Sequence, residues 1–375
     1  MRFIKLFYPA CLILVMLLLI VQGVQASQNP EVPDEPVKIG LLIPDNKSNA
    51  ARNGAEMAIR KANENDGFNG RQFQLIIRSM EGPWGTGSKE AVDLIFEEKV
   101  WAIMGSHDGR NAHIVEQVAT KARIVFLSAW SGDPTLSQAF VPWYFSCVPN
   151  DLQQASALIG EIYNKRETSK IAIVSDNDYD SKMASGSFVK KAKIAGKPEP
   201  LQIFYNNSSQ DFNDMLDKIN AVDISCIILF GQPSASLKII QQIRQRKMNL
   251  PVYGSLLVQG EKELQDEELR DYEGTILVTQ GDWLSSKCLS FQEEFQRIYG
   301  TKPGIVAAFA YDGMNLIIEA IKNAGLDREK IQKSLAKIHY DGITGVIQFD
   351  DKGNRVGVPG LMQIKNGIPV DTGVY

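Results

Sequence analysis

Along the chain, short apolar runs alternate with longer segments whose apolar residues recur at helical spacing. Residues 37–43, 73–77, 101–104 and 124–127 have the length and density of strands buried on both faces. Between them, Ala55, Ala58, Ile59 and Ala62 share one helical face. Val92, Ile95 and Phe96 share another, and Ile114, Val115, Val118, Ala119 and Ala122 a third. Asn69-Gly70 and the loop 81–87 carry the turn residues. Alternation of this kind predicts a parallel sheet with helices on both faces.

The pattern restarts at 171–175, a second opening strand, with a helix after Asp180 or Ser181 and a strand at 201–204. A helix buries Phe212, Met215, Leu216 and Ile219, and an apolar strand runs through Cys226. A helix then opens at Pro233, where proline suits a first turn, before a strand at 251–254. Helices over 291–299, 306–323 and 328–338, a strand at 345–349 and a last one at 361–365 complete the chain. Two successive runs of one βα type imply two similar doubly wound lobes.

The end of the third strand stands out. Met104 is followed by Gly105-Ser106-His107-Asp108-Gly109-Arg110-Asn111 and then by a helix. In an open parallel sheet, ligands sit outside the carboxyl ends of the strands, and the free N–H groups of a helix start favour an anion. The next strand runs into Ser-Ala-Trp-Ser-Gly-Asp-Pro at 128–134.

The remaining composition narrows the classes. The chain has 375 residues, 44% hydrophobic and 22% charged, with a net charge of −4 and no basic stripe, so a nucleic-acid partner is not expected. Arg2 and Lys5 precede an apolar stretch from Leu6 to Val21, and Val24-Gln25-Ala26 offers small exit residues. Residues 1–26 therefore read as a cleavable secretory signal peptide, and the mature chain as extracytoplasmic and not membrane-spanning. Outside it stand Cys147, Cys226 and Cys288, enough for at most one disulfide. His107, His113 and His339 have no metal-ligand spacing, and no phosphate-binding loop or nucleophile elbow occurs. No metal, cofactor or enzymatic activity is expected.

Four segments together resemble the substrate-binding proteins of branched-chain amino-acid and amide ABC importers, of the type I periplasmic binding protein fold. They are Val37-Lys38-Ile39-Gly40-Leu41-Leu42-Ile43-Pro44, Asn53-Gly54-Ala55-Glu56-Met57-Ala58, Ala310-Tyr311-Asp312-Gly313 and the run from Gly342 to Asn354. The resemblance implies two lobes joined by three hinge crossovers: 37–150 with 280–344, and 151–279 with 345–375. It further implies a monomer that closes on a small solute and presents it to an ABC permease in the inner membrane. The same fold also serves as the ligand-sensing subunit of signalling receptors.

Carried over residue by residue, the resemblance places a ligand carboxylate at Asp108, Gly109 and Arg110 and at Ser128, Ala129, Trp130 and Ser131. Arg110 either grips the carboxylate or pairs with Asp108 on the surface. Tyr179 falls where an aromatic caps the ligand, and Gln232 stands where another ring is usual. Leu256 occupies the region of an acid that pairs with a ligand ammonium. Either another acid, such as Asp108 or Asp176, supplies that charge, or the ligand has no ammonium, because a buried unpaired ammonium is costly. Asp312 reads as support for the lobe connections.

Overall fold

The structure is a computed structural model, and it describes residues 35–138, 141–206, 208–209, 211–260 and 266–372. Residues 1–26, which the sequence reads as a signal peptide, lie outside the described residues.

Strand β1 (Val37–Ile43) is buried along nearly its whole length and lies between β2 (Phe73–Ser79) and β3 (Ala102–Gly105). With β4 (Val125–Ser128) and β5 (Tyr144–Ser146) they form a five-stranded sheet, all parallel, in the order β2-β1-β3-β4-β5. Helices α1 (Asn49–Glu64), α2 (Thr86–Phe96) and α3 (Gly109–Ala122) connect its strands. Apolar side chains from both faces give two clusters, one around Ile39, Leu41 and Met104, the other around Leu42, Ile103 and Phe126. Burial of each such side chain is worth about 1.5–3 kcal/mol.

The chain then enters α4 (Asp151–Ile159), held by a capping box between Asn150 and Gln153, which runs on into a π-helical turn, Gly160–Lys165. A second sheet follows. It is built from β6 (Ile171–Asp176), α5 (Tyr179–Ile194), β7 (Leu201–Tyr205), α6 (Asn213–Asn220), β8 (Cys226–Phe230), α7 (Pro233–Gln245) and β9 (Val252–Gly254). A short helix, α8 (Asp266–Asp271), precedes β10 (Ile276–Thr279). Three helices return to the first sheet: α9 (Ser286–Tyr299), α10 (Ile305–Ala324) and α11 (Arg328–Leu335). Strands β11 (Tyr340–Gly342) and β12 (Gly345–Ile347) form a hairpin, and β13 (Gly360–Lys365) with β14 (Ile368–Asp371) finishes the second sheet. Among the described residues, no helix is long and apolar enough to cross a membrane.

The two parallel-sheet lobes match the sequence reading, with three differences. The second sheet is mixed, because β13 pairs antiparallel to β10 and β14 antiparallel to β13. Strands β5, β11 and β14 have three or four residues, too few for a periodic signal. Helix α1 begins at Asn49, ahead of the Ala55–Ala62 face that the pattern predicts, with Ala50 and Ala51 already buried in its first turn.

The segments running between the lobes converge on Thr344. Its amide and hydroxyl donate to Asp312 Oδ2 at 2.8 and 2.6 Å, and the Ile343 amide donates to Asp312 Oδ1 at 3.0 Å. Arg355, 2% exposed, donates to the Cys147 carbonyl (2.9 Å), the Thr344 hydroxyl (3.0 Å), and the Thr344 and Val346 carbonyls (2.6 and 3.0 Å). Gly281 has a φ of +80°, and a Cβ there would lie 2.8 Å from Thr344 Cα, so this close approach requires glycine. Asp312 thus serves as the support that its sequence context suggested. Cys147, Cys226 and Cys288 are buried free thiols, which burial pushes up to about 12, 12 and 11.

Candidate functional site

The carboxyl ends of the strands in the two lobes face each other, and the loops that leave them meet. From the first lobe, β3 ends at Gly105. After three residues, Asp108 caps α3 by accepting from the Asn111 amide at 2.9 Å and its side-chain amide at 2.6 Å. Gly109 is buried as the first residue of that helix, while Arg110, the second, is exposed. The Gly109 amide donates to Asp180 Oδ1, a residue of α5 on the other lobe, at 2.9 Å.

The loop after β4 folds on itself. Ser128 Oγ accepts from the Ser131 amide at 3.2 Å, and Ser131 Oγ accepts from the Asp133 amide at 3.3 Å. Ala129 is buried, and its amide donates to the Gly105 carbonyl, joining the two loops. Trp130 is half-buried and packs on the main core. The loops after β3 and β4 therefore lie side by side at this end of the first lobe. In this arrangement, however, the Gly109 and Ser131 amides are engaged by the protein's own oxygens.

Asp133 is the centre of the contact. Its Oδ1 accepts from the Thr135 amide and hydroxyl at 2.8 and 2.7 Å, and its Oδ2 from the Tyr179 hydroxyl at 2.9 Å. His113 Nε2 lies 3.1 Å from the same Oδ2, and His113 Nδ1 lies 3.7 Å from Glu116. Burial pushes the Asp133 carboxyl up, but the donors from His113, Thr135 and Tyr179 outweigh it and hold the group below its usual range. Hydrogen bonds to Asp133 and Glu116 push His113 up to about 9, so at neutral pH it is an imidazolium.

From the second lobe, Tyr179 and Asp180 open α5 behind the Asp178 cap. Burial, against the Gly109 amide that favours the ion, pushes Asp180 up to about 7. Asp151 begins α4. Its amide donates to the Gly132 carbonyl at 2.8 Å, and burial followed by the charges of Asp180 and Asp133 pushes its carboxyl well up. Gln154 joins Asp151 to the Leu256 loop, with its Oε1 accepting from the Leu256 amide at 3.0 Å. Leu256 is buried and starts the 3-10 turn Leu256–Val258. Gln232 is half-buried at the cap position of α7, where its carbonyl accepts from the Ser236 amide. Of the two acids considered as ammonium partners, Asp108 turns to Asn111, and Asp176 Oδ1 accepts from the Asn177 amide at 2.6 Å.

The residues that sequence reasoning missed are Asp133, Asp180, His113 and Asp151. The signal for Asp180 was present, in the acid-rich run Asp176-Asn177-Asp178-Tyr179-Asp180 at a strand end. Among the described residues, no group of three or more His, Cys, Asp or Glu could hold a metal ion.

The His113–Asp133 pair gives a pH test. His113 has a raised folded pKa, so its contribution to stability is complete below about 6.5, the unfolded value, and is lost as pH rises through about 9. Urea midpoints measured between pH 6 and 10 are expected to fall across that window, and His113→Gln to flatten the fall. An equal slope in the variant would show that the His113–Asp133 pair does not set this pH dependence.

Residues 36–367 match the family model described as periplasmic binding protein, and the chain belongs to that family. It is 23% identical over 340 residues to the Leu/Ile/Val-binding protein homolog 1 of Brucella melitensis, covering 88% of this chain and 90% of that one. It is 24% identical over 351 residues to glutamate receptor 3.7 of Arabidopsis thaliana, but spans only 37% of the receptor's length. The fold is shared with the branched-chain amino-acid substrate-binding protein LivJ of Streptococcus pneumoniae, solved with isoleucine. The TM-score there is 0.79 at 21% identity, over 89% of this chain and 98% of that one. A solute-binding protein of an R. palustris ABC transporter, solved with benzoate, gives 0.79 at 20% identity, over 90% and 96% of the two chains.

Proposed function

We propose that this member of the periplasmic binding protein family is an extracytoplasmic binder, not an enzyme, that closes its two lobes on a small carboxylate-bearing solute. The lobes are 37–150 with 280–344, and 151–279 with 345–375. The monomeric chain, freed of residues 1–26 and located in the periplasm, would deliver the solute to an ABC permease in the inner membrane. One observation carries the choice of a carboxylate. The Gly109 amide, at the positive end of the 14-residue helix α3, already holds a carboxylate, that of Asp180, at 2.9 Å. A solute carboxylate there, near Arg110, Ser128 and Ser131, would face Tyr179, Gln232 and Leu256 across the cleft and bind the closed lobes better than the open ones.

Thermal unfolding in the presence of the twenty common L-amino acids, simple amides and amine-free carboxylates tests this. A solute at about one hundred times its Kd stabilises the native state by about 2.7 kcal/mol, a readily measured rise in Tm. If no carboxylate in the panel raises Tm while uncharged or cationic solutes do, the carboxylate assignment fails. A second reading, the ligand-sensing subunit of a signalling receptor, draws support from the match to a plant receptor over 82% of this chain. Copurification with a receptor histidine kinase or cyclase, and not with a permease, would favour it.

A further inference from the structure

Asp180 holds the place that the solute-binding reading gives to the solute. It accepts from the Gly109 amide across the lobe boundary, and a Cβ on Gly109 would lie 3.0 Å from that same oxygen and 2.8 Å from Asp133 Cβ. A carbon added at Gly109 would therefore crowd Asp133 in its own lobe and push the Asp180 carboxylate of the other lobe aside. The neighbouring residue makes a second bridge, from the Tyr179 hydroxyl to Asp133 Oδ2 at 2.9 Å, with His113 behind it. Two adjacent residues at one helix start thus grip both strand-end loops of the opposite lobe.

We propose that Asp180 is a built-in competitor for the solute: it latches the lobes shut on the protein's own carboxylate, and a solute binds by displacing it from Gly109. The latch itself stands on the two bridges alone. The competition rests on the solute-binding reading above.

Charge favours exchange over coexistence. Asp108, Asp133 and Asp178 already crowd Asp180, and Asp151 lies close enough to feel both Asp180 and Asp133. A solute anion added beside Asp180 would put one more negative charge among these acids, with His113 held by Asp133 and Arg110 exposed at the rim. Displacement keeps the Gly109 amide paired with a carboxylate, and the released Asp180, which burial pushes up to about 7, balances the added charge by taking up a proton. The cost of opening the latch appears in the affinity, because a protein whose competent form is only partly populated binds more weakly by that fraction. Asp180 would therefore set the threshold concentration at which the binder responds.

The latch is tested on the solute-free protein by small-angle X-ray scattering of wild type, Asp180→Asn, and Asp180→Ala combined with Tyr179→Phe. Wild type is expected to match the closed structure. Asp180→Asn, which keeps an acceptor for Gly109, is expected to stay closed, and the double variant to show a larger radius of gyration. An open wild type, or a double variant as compact as wild type, would overturn the latch.

Calorimetry with L-isoleucine, benzoate and 3,4-dihydroxybenzoate then tests competition, with Asp180→Ala expected to bind any accepted carboxylate about ten- to a hundredfold more tightly. Weaker binding would make Asp180 a solute contact and overturn its role as competitor. Absence of binding to every carboxylate by both wild type and variant would overturn the solute reading and the competition with it, while the scattering result still decides the latch.

Discussion

Replacing Arg355 by alanine is expected to lower the free energy of unfolding by about 3–5 kcal/mol, the usual cost of breaking a buried charge network from one side. Arg355 is 2% exposed and serves three carbonyls and the Thr344 hydroxyl, tying the Cys147 segment to the 344–346 segment. Burial lowers its pKa to about 10, so the guanidinium stays charged at neutral pH. The Thr344 hydroxyl accepts from Arg355 and donates to Asp312, and this relay loses its cation in the variant. The Cys147 and Thr344 carbonyls would be left without that donor in a buried site, each a desolvation loss, while the Val346 carbonyl is partly open to water. Arg355→Lys, with a point charge in place of a planar fork, is expected to fall between wild type and alanine. Urea unfolding with an unchanged m-value is the measurement. An alanine variant within about 1 kcal/mol of wild type would show that the hub contributes little.

Gly54→Ala is expected to destabilise the first lobe by about 1–3 kcal/mol, and Gly54→Leu by more. Intrinsic helix propensity predicts the opposite sign, since alanine is favoured over glycine within a helix by about 1 kcal/mol. Packing decides the outcome. A Cβ on Gly54 would lie 2.2 Å from the Ala307 carbonyl oxygen and 3.1 Å from the Tyr311 amide, both backbone atoms of α10. Backbone cannot rotate aside as a side chain can, so α1 and α10 must separate along a contact that buries Ala51, Ala58, Val306 and Ala310. Equal or greater stability of Gly54→Ala in urea would show that the two helices have slack at this crossing.

These two sites also explain three of the four segments that carried the family resemblance. The Asn53–Ala58 segment, inside α1, holds the glycine that α10 crosses, and Ala310–Gly313 supplies Asp312 to the amides of Ile343 and Thr344. Gly342 is small because a Cβ there would lie 2.4 Å from Asp312 Oδ2. Each segment is one half of a tertiary contact, which is why none signals strongly by itself.

The central strands were legible because burial on both faces leaves near-continuous apolar runs, as in β1, β3 and β8. The site loops were legible because a parallel βα order puts every such loop at one end of its sheet. Sequence by itself therefore determined the lobe type, the strand ends and the candidate loops at Gly109 and Ser131. Only the tertiary structure decided what those loops touch. The partners Gly109 and Asp180 are 71 residues apart, and Asp133 and Tyr179 are 46 apart. No periodicity couples positions at such separations, since their meeting depends on how the two lobes are set against each other by the shared core and the Arg355–Thr344–Asp312 hub.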